Sequence, residues 1–116
     1  MKILVVEDNP DIKEVLDYIL EDGGHEAIFS PDGSLLSKLE DIKPDIILLD
    51  DKLVEEWGSE LCVRLKSDNA SKNIPVILMS AMLNLPEIAR QCQADAYLEK
   101  PFNIETIIAL IERFAR

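Results

Sequence analysis

The chain has 116 residues, 12 basic against 23 acidic, a net charge of −11, and 47% hydrophobic with 30% charged residues. This suits one compact globular domain, too short for two and too apolar to be disordered. The acidic balance argues against direct nucleic-acid binding, and no apolar run of about eighteen residues exists to span a membrane.

Lys2 to Glu7 carries the unalternated apolar run Ile3-Leu4-Val5-Val6, as in a strand covered on both faces. It reaches an acid too soon for a signal peptide's apolar stretch, and a cytoplasmic location is expected. Asn9-Pro10 reads as an N-cap followed by proline in the first helical turn. Ile12, Val15, Leu16, Ile19 and Leu20 follow at helical spacing until Gly23-Gly24 stops the helix. Ala27-Ile28-Phe29 is a short second strand. Asp32-Gly33-Ser34 opens a second helix with Leu35, Leu36, Leu39 and Ile42 on its inner face.

Pro44 to Asp50 is a third strand, four successive apolar residues ending on a carboxylate. Gly58 to about Asn69 forms the third helix, with Leu61, Cys62 and Leu65 inward. Pro75 to Met79 is the fourth strand, ending on Ser80, and Pro86 to Cys92 a short fourth helix. Ala96 to Glu99 is the fifth strand. Asn103 caps a last helix whose inward residues are expected to be Ile104, Ile107, Ile108, Ile111 and Phe114. Five alternations of strand and helix predict a doubly wound α/β fold, a parallel sheet with helices on both faces.

Open parallel sheets bind ligands beyond the carboxyl ends of their strands. Glu7 and Asp8, Asp50, Ser80 and Lys100 all fall at such ends. Three gathered carboxylates are costly unless a cation joins them, and magnesium is favoured because it accepts few protein ligands and keeps its waters. A nearby hydroxyl and ammonium suit a phosphoryl group, and a carboxylate can act as nucleophile. The bland alternatives, a solvated strand end for Glu7-Asp8, a loop hydroxyl for Ser80 and a surface lysine for Lys100, explain each residue singly but not their shared position. Cys62 and Cys92 read as buried free thiols in preference to a disulfide or redox pair. His25, beside a glycine turn, reads as a surface residue, and Trp57 as partly exposed in the loop after Asp50.

Over essentially its full length the chain resembles a response-regulator receiver domain of two-component signalling. The matching residues are Val6-Glu7-Asp8-Asn9, Asp45 to Asp50, Gly58, Ser80-Ala81, and Tyr97-Leu98-Glu99-Lys100-Pro101-Phe102. The resemblance implies a single receiver domain over residues 1–116, standing alone or within a longer regulator or hybrid kinase. It implies five helices and a flavodoxin-like five-stranded sheet of order 2-1-3-4-5. Asp50 would accept a phosphoryl group from the phosphohistidine of a sensor histidine kinase or a histidine phosphotransfer protein. Glu7, Asp8, Asp50 and the backbone carbonyl of Lys52 would hold Mg2+. Ser80 and Lys100 would contact the phosphoryl group, Tyr97 would move with Ser80, and the Lys100-Pro101 bond would be cis. Such a domain is a signalling module feeding an output domain or partner protein, able to phosphorylate and dephosphorylate itself but no conventional enzyme.

The chain departs from that pattern at Val54, at Glu55-Glu56-Trp57, at Lys52 beside the expected phosphoryl position, and at Gln93, where glycine is usual. A shortened or irregular fourth helix is expected, and Lys52 is placed to alter the lifetime of the phosphorylated form. A magnesium-dependent aspartyl phosphohydrolase is the alternative, but it needs an acid two residues after the nucleophile, where Lys52 stands. A flavin-binding protein would need a Ser/Thr/Gly phosphate loop where Glu7-Asp8 would repel the ligand.

Overall fold

The computed structural model describes residues 1–115; Arg116, the end of the expected domain, lies outside the described residues. Five strands, β1 (Lys2–Val6), β2 (Glu26–Ser30), β3 (Ile46–Asp50), β4 (Val76–Ser80) and β5 (Ala96–Glu99), form one parallel sheet in the order β2-β1-β3-β4-β5. Five α-helices connect and cover them: α1 (Pro10–Asp22), α2 (Leu39–Ile42), α3 (Gly58–Ser67), α4 (Leu85–Cys92) and α5 (Ile104–Glu112). The register pairs Val6 with Leu49, Asp50 with Met79 and Ser80 with Glu99, which brings the carboxyl ends of the central strands level.

Alternate strand residues feed two cores. Ile3, Val5, Ile46, Leu48, Ile77 and Met79 pack under α1 and α5, while Leu4, Val6, Ile47, Leu49, Val76 and Leu78 pack toward α3 and α4. Every residue of β3 and β4 is buried, the reason neither run alternates. Helix starts follow local chemistry. Asn9 Oδ1 accepts from the Asp11 and Ile12 amides, and Asn103 Oδ1 accepts from the Thr106 amide.

The second helix differs from expectation. Gly33–Lys38 is a 3-10 helix and only Leu39–Ile42 is α-helical, with no residue of either fully buried. Glycine and two serines between 33 and 38 have weak helix preference, and Ser37 Oγ donates to the Ser34 carbonyl instead. In α5 the buried residues are Ile107, Leu110 and Ile111; Ile104 is 52% and Ile108 39% exposed, and Phe114 is partly buried. Residues 104-107-108-111 and 107-110-111-114 are both valid helical frames, so periodicity alone could not choose between them. The α4 helix has eight residues and ends where Gln93 adopts a left-handed φ of 63°. His25 is half-buried rather than on the surface, with the Met1 ammonium 3.0 Å from its Nδ1; burial, then that charge, lowers its pKa.

Candidate functional site

A cleft of about 370 Å³ opens at the carboxyl edge, lined by residues of the β1, β3, β4 and β5 ends, including Glu7, Asp8, Asp50, Lys52, Ser80 and Lys100. Glu7 follows β1 and is buried, its amide donating to the Ser30 carbonyl at 2.9 Å. Its Oε1 accepts from the Asn9 amide at 3.2 Å, and its Oε2 from Lys100 Nζ at 3.0 Å. Lys100 Nζ also donates to Asp50 Oδ1 at 2.6 Å, while the Lys100 amide donates to the Ser80 carbonyl at 2.9 Å. One lysine thereby joins three strand ends. The Lys100-Pro101 peptide is cis.

Charge is unbalanced here. Burial, the larger effect, raises the Asp50 pKa to about 6 against the pull of Lys100, and Glu7 and Asp8 add to the rise. Burial alone would lower the Lys100 pKa, but the hydrogen bond and charge of Asp50, with Glu7, raise it above the ordinary value. An ion pair by itself would lower the acid while raising the base. Asp50 moves up because burial outweighs the pull of Lys100, and Lys100 moves up because two carboxylates, Asp50 and Glu7, share its ammonium. Oxygens of Glu7, Asp8 and Asp50 lie within 4.8 Å of one another, and this hard, electron-rich donor set fits a divalent cation.

The backbone of Asp50 is backed by Gly58 and Asp51. The Gly58 amide donates to the Asp51 carbonyl at 2.6 Å, and Asp51 Oδ1 accepts the Ser59 amide at 3.0 Å, fixing the start of α3. A Cβ on Gly58 would sit 2.1 Å from the Asp50 carbonyl oxygen, so only glycine fits. Asp51 escaped the sequence reading, although an Asp-Asp pair leaving a strand must send its members to opposite sides. Lys52 is exposed at the cleft and bridges Trp57, itself 44% exposed, in a small antiparallel pair. Glu56 turns back to accept the Gly33 amide at 2.9 Å.

Ser80 is buried, and its Oγ accepts the Met82 amide at 3.0 Å. Met82 also lines the cleft, which the sequence reading did not anticipate. Tyr97 is not in the cleft. It is 43% exposed and lines a separate groove with Pro86, Ala89, Arg90 and Arg113 between α4 and α5. Among the described residues, no helix is long and apolar enough to cross a membrane.

Comparison with known proteins adds to this geometry. The model of the family described as "Response regulator receiver domain" matches residues 3–112. The chain is 32% identical to the phosphate regulon transcriptional regulatory protein PhoB of Escherichia coli, over 99% of this chain and 52% of PhoB. It is 31% identical to protein PilG of Pseudomonas aeruginosa, over 97% of this chain and 85% of PilG. It spans about half the length of the first relatives it matches. A solved structure of the receiver domain of sensor histidine kinase PA1611 from P. aeruginosa superposes with a TM-score of 0.87 at 26% identity, covering 97% of this chain and 95% of that one. That structure is described with a magnesium ion coordinated in its active site cleft.

Proposed function

This chain belongs to the response regulator receiver domain family, and on that premise we propose that Asp50 is its phosphoacceptor. The carrying observation is the 2.6 Å bond from Lys100 Nζ to Asp50 Oδ1 inside a cluster of three acids. An Asp50 carboxylate oxygen attacks the phosphorus of a phosphohistidine, the P–N bond breaks, and the imidazole leaves carrying the electron pair and takes up a proton. With a pKa of about 6, Asp50 is mostly ionised at neutral pH and can serve as that nucleophile. Lys100 already stands beside the reacting oxygen, so its ammonium meets the incoming charge without rearrangement. Glu7, Asp8, Asp50 and the Lys52 carbonyl would hold Mg2+, which when bound neutralises charge on the phosphoryl oxygens.

Ser80 Oγ would release the Met82 amide and donate to a phosphoryl oxygen, with Tyr97 following on the outer face; their equilibrium is what phosphorylation biases. A sensor histidine kinase or histidine phosphotransfer protein in the cytoplasm is the donor, and an output domain or partner protein reads the result. The domain catalyses its own phosphorylation and dephosphorylation and turns over no other substrate. The test is intact mass after incubation with acetyl phosphate and Mg2+. One phosphoryl group is expected on the wild type and none on Asp50→Asn or in excess chelator. Equal labelling of Asp50→Asn would sink the proposal.

A further inference from the structure

Helices α3 and α4 lie side by side, and each brings one cysteine to their contact. Cys62, midway along α3, is fully buried, and Cys92, the last residue of α4, is nearly so. Thirty residues apart in sequence, they meet here: Cys62 Sγ donates to the Cys92 carbonyl at 3.3 Å. Cys92 Sγ lies 3.6 Å from the Ala89 carbonyl. Both are free thiols.

We propose that Cys62 and Cys92 form a dithiol site that closes to an intramolecular disulfide when the protein meets a peroxide, tying the carboxyl end of α4 to α3.

The two thiols are not equivalent. Cys92 beside it, followed by burial, pushes the Cys62 thiol up and keeps it protonated, whereas the neighbouring Cys62 pulls the Cys92 thiol down toward its thiolate. Cys92 also sits at the end of a short helix, the part that opens most readily to a small oxidant. The Cys92 thiolate attacks one peroxide oxygen; the O–O bond breaks, leaving a sulfenic acid and a hydroxide that is protonated to water. Cys62 sulfur then attacks Cys92 sulfur, the S–O bond breaks, and a second water departs with the Cys62 proton. Overall two thiols and one hydrogen peroxide give one disulfide and two waters. Closure costs Cys62 its hydrogen bond to the Cys92 carbonyl.

The experiment exposes the native protein to hydrogen peroxide, then denatures it in an alkylating reagent for intact mass and non-reducing peptide mapping. The expected result is a monomer with no alkylated thiol, a Cys62–Cys92 linked peptide, reversal by dithiothreitol, and a Tm higher by on the order of 10 °C. Cys62→Ser should stop at an oxidised Cys92, whereas Cys92→Ser should leave Cys62 unreacted. Two alkylatable thiols in the treated wild type, links only between molecules, or a lower Tm in the linked form would each overturn the proposal.

Discussion

A carboxyl titrating near 6 beside a lysine raised above its ordinary value marks a site where burial, with two further acids adding to it, outweighs the pull of the ammonium on Asp50. Between pH 4 and 6 the folded protein keeps a proton on Asp50 that the unfolded chain, titrating near 3.8, has already released. Stability from this group is therefore fully present below the unfolded pKa and is lost as pH rises through about 6, a cost of roughly 3 kcal/mol. Asp50→Asn should recover up to that amount at pH 7.5 in chelator, measured by urea unfolding. The gain should shrink steadily as the pH is lowered to 4. A gain that grows on acidification would contradict a raised Asp50 pKa.

Among the helices, the contrast lies within α5, where two adjacent isoleucines have different surroundings. Ile107 is fully buried under the sheet and Ile108 is 39% exposed. Ile107→Ala should cost about 2–5 kcal/mol and Ile108→Ala less than about 1 kcal/mol by chemical denaturation; comparable losses would mean the other helical frame is correct. Sequence periodicity could not make that choice, because leucine and isoleucine fill both frames. It did identify β1, β3 and β4, whose apolar runs are unbroken because both sheet faces are covered, and α1, whose cap and proline are local signals. It misread 33–38, where serine and glycine favour local hydrogen bonds over an α-helix. At the site, Glu7, Asp8, Asp50, Ser80 and Lys100 could be found because strand ends converge in a parallel sheet. Met82 could not, because its place depends on how the loop after β4 folds back on Ser80.

For the molecule as a whole, a net charge of −11 is carried on a body of 34 × 32 × 26 Å. The Debye length near 0.1 M salt, about 10 Å, is shorter than every one of those dimensions, so salt screens much of the self-repulsion. The Tm should rise by a few degrees between about 10 and 300 mM NaCl, read by circular dichroism; a fall would mean that favourable ion pairs outweigh repulsion. That charge presses on a cleft whose two sides are built differently. Gly58 abuts the Asp50 backbone so tightly that not even a methyl group fits, and Asp51 ties down the same helix start. Opposite it, residues 81–84 are all exposed, held by the Met82 amide on Ser80 and the Leu85 amide on the Met82 carbonyl. Any bulk added at Asp50 therefore works like a wedge between a fixed jaw and a free one, and its displacement is delivered in a single direction, toward α4.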